Sequence, residues 1–273
     1  MSGPRVSIIM PVFNGEAFLR EAIESLRGQR YRDFEIVIVN DGSTDRTESI
    51  ARAFAERDGR VRLVTHSSNR GAPAARNTGI AHASAQSEFI LNHDCDDISR
   101  PCMLERLVAA LDADRRLGAA GCFCDYIDVN GRRMGAVRME WFPLLILATF
   151  ASLNSMVNSA TLIRRAAMKV VGLYREDLDT CDDYDYWARM LMAGFALANV
   201  PEVLHYVRIH SASIGATRAE VMRRQAATVR AMYRGGKQGR LLGNTLGKLI
   251  LRTLELRTNV RRLATRHKRN EHD

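Results

Sequence analysis

The sequence predicts an α/β protein built on a mostly parallel sheet flanked by helices. Two observations predict it. Over the first hundred residues, short apolar runs alternate with segments of helical spacing, the pattern of strands joined by crossover helices. The loops that follow three of those runs are polar, and parallel sheets gather ligands at such strand ends.

The elements follow in order. Arg5-Val6-Ser7-Ile8-Ile9-Met10-Pro11-Val12 is a short apolar run suited to a central strand. Glu16 to Gln29 carries Phe18, Leu19, Ala22, Ile23 and Leu26 at helical spacing. Phe34 to Val39 is a second strand, and Asn40-Asp41-Gly42-Ser43 after it is turn chemistry. Asp45 and Glu48 have capping-box spacing and open a helix to about Asp58. A third strand spans Val61 to Thr65, a helix Ala72 to Ala83, and a fourth strand Glu88 to Asn92. Beyond Pro101 the pattern is less regular. Met103 to Leu111 reads as a helix. Ala119 to Val129 reads as a strand ending at the turn Asn130-Gly131. Tyr184 to Ala193 is a helix with Trp187, Met190 and Leu191 on one face.

Composition excludes several classes. The chain has 273 residues, enough for one large α/β domain with an appendage. Its longest apolar run, from Trp141, contains a proline and is too short to span a bilayer. The stretch MSGPRVSIIMPVFNG has no small-residue cleavage site or long apolar core, so no secretory signal is expected in it. Five cysteines without a C-x-x-C pair argue against a zinc site or a disulfide framework, and the expected location is the cytoplasm. The net charge is +9, yet residues 216–273 alone carry +11 and residues 1–215 carry −2. The basicity belongs to the tail, which speaks against nucleic acid as the partner of the body.

Chemistry concentrates in two acidic clusters. His93-Asp94-Cys95-Asp96-Asp97 ends the fourth strand. Asp94 and Asp96, alternate residues at a strand end, are expected to face one point and to suit Mg²⁺ or Mn²⁺ shared with substrate phosphates. Asp97 reads as a solvated turn residue capping the helix after Pro101. The second cluster, Asp179-Thr180-Cys181-Asp182-Asp183-Tyr184-Asp185, reads equally as helix-dipole complementarity and as the source of a general base. No Gly-x-x-x-x-Gly-Lys and no Gly-x-Gly-x-x-Gly occurs, so a phosphate ligand would rely on metal and arginine.

Taken in order, these pieces resemble the family 2 glycosyltransferases. The matching residues are Pro11-Val12-Phe13-Asn14, Asn40-Asp41-Gly42-Ser43-Thr44-Asp45, Asn69-Arg70-Gly71, Ala75-Arg76-Asn77-Thr78-Gly79 and Asp94-Cys95-Asp96-Asp97 with Pro101. Gly172 to Glu176, Asp182 to Arg189 and Tyr206 to Ser213 complete the set. The resemblance implies the Rossmann-like sheet of the A-type glycosyltransferase fold over residues 1–215. About 1–100 would be the nucleotide-sugar half and 101–215 the acceptor half, with 216–273 a basic, mainly helical extension.

The resemblance also implies roles. Pro11, Phe13 and Asn14 would line the nucleotide pocket, and Asp41 would accept a hydrogen bond from the base, most often uracil. Arg76 would reach the nucleotide. Asp94 would lie by the ribose and the metal, and Asp96 would bind the metal. Asp183 would be the catalytic base. Arg208 and His210 would close over the diphosphate, with His210 an added metal ligand. The implied reaction is inverting transfer from a nucleotide-diphosphate sugar, a UDP-sugar foremost, to a saccharide or lipid-linked acceptor. The expected cofactor is Mn²⁺ or Mg²⁺. Departures are Asn40 for Asp, Phe13 for Tyr, Asn92-His93 for apolar residues, Asp182 for Glu, and Val207 between Tyr206 and Arg208.

Two alternatives are a non-catalytic sugar-nucleotide binder and a phosphotransferase using Asp94 as nucleophile. Three strand–helix units precede the cluster, which counts against the second. In the tail, Leu241, Leu242, Leu246, Leu249, Ile250 and Leu254 form an apolar stripe among arginines. It reads as an accessory helix packed on the domain, or as a peripheral helix on anionic lipid at the inner face of the plasma membrane.

Overall fold

Four buried parallel strands form the first half of the sheet. In the computed structural model they are β1 (Val6–Val12), β2 (Phe34–Asn40), β3 (Val61–Thr65) and β4 (Phe89–Asn92). The structure describes residues 3–235 except 138, 139, 151–153, 179, 212 and 214–216. β1 and β2 are buried at every position, which is why their sequences run apolar without alternation. Helices α1 (Leu19–Arg27), α2 (Thr47–Arg57) and α3 (Ala72–His82) make the crossovers. α3 lies close on the sheet because Gly79 lacks a side chain: a Cβ there would stand 2.3 Å from Ile9 Cγ2.

The second half comprises β5 (Ile98–Ser99), α4 (Met103–Ala113), β6 (Leu117–Ile127), β7 (Arg133–Val137) and α5 (Pro143–Thr149). A 3-10 turn at Asn158–Ala160, β8 (Leu162–Arg164), α6 (Arg165–Val171), α7 (Asp182–Met192), β9 (Ala196–Arg208) and α8 (Ala219–Gly235) follow. Among the described residues the strands form one sheet in the order β3-β2-β1-β4-β8-β6-β9-β5, with β7 on β6. β1, β2, β3, β4, β6 and β9 run one way; β5, β7 and β8 run the other.

The strand period of two splits the core into two layers. Ile8, Met10, Ile36 and Ile38 pack with α1, α2 and α4 on one face. Ile9, Val37, Val39 and Ile90 pack on the other with α3, α6 and α7, where Trp187 and Tyr186 are fully buried. α8 joins this second layer through Tyr233, whose hydroxyl donates to Leu147 O at 3.3 Å. β1 sits between β2 and β4, so the chain leaves it on one side and returns on the other. That reversal is the switch point at which open α/β sheets bind ligands.

Several expectations change. The Asp45–Glu48 capping box does not close. Asp45 accepts from Thr47 N and Glu16 N, at 2.9 and 3.1 Å, and Glu48 pairs with Arg52 at the next helical turn. Asp97 is not a solvated cap; it is 2% exposed. Asp94 to Asp97 form a turn after β4, so strand alternation does not orient them. β5, β7, β8 and the thirteen-residue β9 went unread in the sequence. The Leu241–Leu254 stripe lies outside the described residues. Among the described residues no helix is long and apolar enough to cross a membrane.

Candidate active site

Two loops at the ends of β1 and β2 are tied by Asn14. Its Oδ1 accepts from Thr44 N at 2.9 Å, and its own N–H donates to Ser43 Oγ at 2.9 Å. Asn14 adopts φ 50°, a left-handed conformation that asparagine tolerates better than most residues. Gly42 is needed for approach as well as for its φ of 71°, since a Cβ would meet the Ser68–Asn69 backbone at 2.5–2.7 Å. Pro11 is buried within β1, whereas Phe13 stands 48% exposed and presents a stacking face.

Asp41 is buried and shapes the loop before α3. Its carboxylate accepts from Arg70 N at 3.0 Å, from Gly71 N at 2.8 Å, and pairs with His66 Nδ1 at 2.6 Å. His66 is held in turn by Thr78 Oγ1 at 3.0 Å. The aspartate therefore fixes the start of α3, and through it Arg76.

Arg76 lies between the two acidic clusters. Its guanidinium donates to Asp94 Oδ1 at 3.3 Å and, through Nη1, to Asp182 Oδ2 in a close ion pair. Burial works against its charge, but Asp182 and Asp94 outweigh burial and keep the guanidinium firmly protonated. Asp183, next in α7, is half-buried. Its Oδ2 accepts from Asn154 Nδ2 at 3.1 Å and its Oδ1 from Tyr184 N at 2.6 Å. Burial, then Asp182, pushes its carboxyl up to about 7.

Asp94 and Asp96 have different partners. Asp96 Oδ2 lies 2.8 Å from His210 Nε2, in the segment that follows β9. The His210 ring packs on Phe18 with centroids 5.1 Å apart. Burial and the neighbouring carboxylates Asp97 and Asp94 raise Asp96, a field that favours an added cation. Among the described residues no three His, Cys, Asp or Glu side chains form a self-sufficient metal cluster. Asp96 and His210 are of the donor types that a hard divalent ion takes, and such an ion would need its other positions filled by substrate phosphate and water.

Arg208 faces inward rather than towards the groove. Its Nε donates to Asp96 O at 2.8 Å, Nη1 to Asp128 O at 3.1 Å, and Nη2 to Glu21 Oε2 at 2.7 Å. It is 3% exposed, with its guanidinium over the Phe18 ring. In this conformation it braces the turn carrying Asp96.

Asp97 anchors the same turn from beneath. It accepts from Arg208 N at 2.9 Å and Ser159 Oγ at 2.6 Å, and meets His205 Nε2 at 2.9 Å. His205 and His93 sit edge to face with Ser99 Oγ between them. Burial lowers both to about 4, so both rings are neutral at pH 7. This accounts for His93. Asn92 has its own partners, donating to the Tyr174 hydroxyl at 2.6 Å. Tyr174 stacks on Tyr186 of α7, and its backbone is clasped by the Asn77 side chain at 2.9 and 3.0 Å.

The sequence reading missed Asn154, Glu21 and His205. Asn154 lies in a stretch with no motif around it. His205 lies four residues before a matched motif's Ile209 and could have been reached by reading β9 as a strand.

The profile of Glycosyl transferase family 2 matches residues 7–172. "Putative glycosyltransferase EpsE" of Bacillus subtilis is 32% identical over 76% of this chain and 74% of its own. Staphylococcus aureus TarS 1–349, solved with UDP-GlcNAc, superposes with a TM-score of 0.65 at 22% identity, over 81% of this chain and 65% of its own. The mannosyltransferase PcManGT of Pyrobaculum calidifontis, solved with GDP-Man and Mn²⁺, gives 0.62 at 20% identity, over 93% and 80%. The two structures share the fold with this chain, and the profile and the EpsE alignment establish kinship: the chain belongs to glycosyl transferase family 2.

Proposed function

We propose that the protein is a metal-dependent, inverting transferase that moves a sugar from a nucleotide diphosphate, UDP foremost, to an acceptor hydroxyl. One observation carries the reading: Arg76 joins Asp94 on the donor side to Asp182, the neighbour of Asp183, so both halves of a transfer site meet at the β1/β4 switch point. UDP-GlcNAc in TarS and GDP-Man with Mn²⁺ in PcManGT support a nucleotide-sugar donor and a divalent ion here.

Phe13 stacks on the base, within loops held by Asn14 and by Asp41, whose carboxylate is taken up by Arg70 N, Gly71 N and His66 and so shapes the base pocket rather than contacting the base. Pro11 supports that loop from within β1. Asp94 and Arg76 lie towards the ribose and phosphates. Asp96 and His210 would hold the divalent ion, which when bound supplies positive charge to the leaving diphosphate. Arg208 holds the Asp96 turn in place.

Asp183 takes the proton of the acceptor hydroxyl as its oxygen attacks the anomeric carbon. The new C–O bond forms as the bond from that carbon to the phosphate oxygen breaks, and the bonding pair leaves with the nucleoside diphosphate. A single displacement inverts the anomeric configuration. A base near pH 7 is suited to this proton transfer.

The test is calorimetry of UDP, GDP, UDP-GlcNAc and GDP-Man with Mn²⁺ and with chelator, on the wild type and Asp96→Ala. Binding of one nucleotide that needs metal and is lost in Asp96→Ala is the expected result. Absence of nucleotide binding under every metal condition overturns the reading.

A further inference from the structure

We infer that Asn154 is a positioning residue for Asp183: its amide fixes one carboxylate oxygen, leaves the remaining lone pairs for the acceptor, and favours the charged form. The inference rests on Asp183 being the base.

The carboxylate of Asp183 has two hydrogen bonds of different kinds. Oδ1 takes the N–H of the next residue, Tyr184, at 2.6 Å, a contact fixed by the first turn of α7. Oδ2 takes Asn154 Nδ2 at 3.1 Å, across 29 residues of chain. The amide orientation is set by its own surroundings, because Asn154 Oδ1 accepts from Met156 N at 3.2 Å. With the oxygen so engaged, the nitrogen faces Asp183.

The peptide that carries Asn154 is anchored although it lies outside any helix or strand. Ser155 O accepts from Asn199 Nδ2 of β9 at 2.7 Å, and Ser155 and Met156 are 0% and 1% exposed. Asn199 also donates to Glu140 O at 2.7 Å, so one β9 side chain pins both ends of the segment containing α5. Asn154 is thus a fixed donor rather than a passing surface amide.

Among the described residues, the ionisable groups facing Asp183 are Asp182 beside it in α7, Arg76 from α3, Tyr174 from the stretch after α6, and Cys181 before the helix. Asp182 opposes ionisation and Arg76 favours it. Asn154 adds a neutral donor, which stabilises the carboxylate without adding a charge.

The experiment is carbon-13 NMR of the full chain labelled at aspartate Cγ, with the Asp183 signal assigned by its loss in Asp183→Asn. In Asn154→Ala the midpoint of that signal rises by roughly one to two units, as loss of one hydrogen bond to a charged group requires. In Asn154→Asp it rises further, because a carboxylate replaces a donor. Aspartates outside the site, such as Asp58 and Asp112, which are held by Arg60 and Arg5, keep their midpoints, which a general loosening of the fold would not allow. An Asp183 midpoint unchanged in both variants overturns the inference. Nucleoside diphosphate release from a donor sugar that persists in Asp183→Asn would instead overturn the base assignment, and leaves the titration to be judged on its own.

Discussion

Replacing Arg76 with methionine leaves Asp182 a buried carboxylate without its cation. Arg76 and Asp182 are 7% and 6% exposed, so water cannot take over the role of either partner. Removing one member of such a pair costs about 3–5 kcal/mol, chiefly from the stranded charge. The Asp94 contact adds little to this figure, because that side chain is 39% exposed and can be solvated. Asp182 is already raised by burial despite its arginine, and loss of Arg76 raises it further. The native variant then binds a proton that the unfolded chain releases, so its stability falls as pH rises above the ordinary aspartate range. Urea denaturation at pH 5.5 and pH 8 therefore gives the larger penalty at pH 8, read as a lower midpoint at unchanged slope. Arg76→Met/Asp182→Asn removes both charges and recovers roughly 2–3 kcal/mol relative to Arg76→Met alone. A single-variant cost under about 1 kcal/mol, or a double variant no better than the single, refutes the view that this pair is a buried strut.

If Asp183 is the base as proposed, turnover rises with pH through about 7, where its carboxyl ionises, and in Asp183→Asn both the activity and this limb are lost while nucleotide binding is kept; a pH-independent rate would contradict the assignment. Gly79→Ala places a Cβ 2.3 Å from Ile9 Cγ2 and 3.2 Å from Val39 Cγ2, and overpacking of about 1–3 kcal/mol exceeds the roughly 1 kcal/mol of helix propensity gained, so thermal unfolding shifts downward; an unchanged or higher midpoint would refute it. His210→Ala removes one of the two groups proposed to hold the divalent ion and is expected to weaken metal-dependent nucleotide binding roughly tenfold, about 1.4 kcal/mol by calorimetry.

What the sequence discloses depends on how far apart the interacting residues lie. The first four strands, three crossover helices and the polar loops after β1, β2 and β4 are local patterns, and each was legible within a window of about ten residues. The two acidic clusters belong to that class as clusters, although the first reads as a strand end rather than the turn it forms, and the roles given to Phe13 and Asp183 come only from the family resemblance. The links between them do not. Arg76 meets Asp182 across 106 residues, and His205 meets Asp97 across 108. No local period records such pairs; they exist because β4, β8, β6 and β9 bring the two acidic clusters to one end of the sheet. β8 went unread because three residues, Leu162–Arg164, are too few to show a period. β9 went unread because its ends and middle differ: Pro201 and Glu202 are exposed within an otherwise half-buried strand.

Those links also explain why five carboxylates can be gathered in one place. Each has a different way of tolerating its charge. Asp97 is buried on serine, histidine and a backbone N–H. Asp182 is buried on Arg76. Asp94 leans on the same arginine while reaching solvent. Asp183 rests on Asn154 and the first turn of α7. Asp96 is left with one histidine and with neighbours that raise it. Like charges this close repel, and Asp96, raised by burial and by Asp97 and Asp94 with His210 as its side-chain partner, gains from an added cation. On that argument Asp97, Asp182 and Arg208 are the foundation, and Asp96 is the position they hold open for positive charge. Asp97→Asn should then disturb the turn and its backbone partners, whereas Asp96→Asn should leave the fold intact and remove only the attraction for a divalent ion.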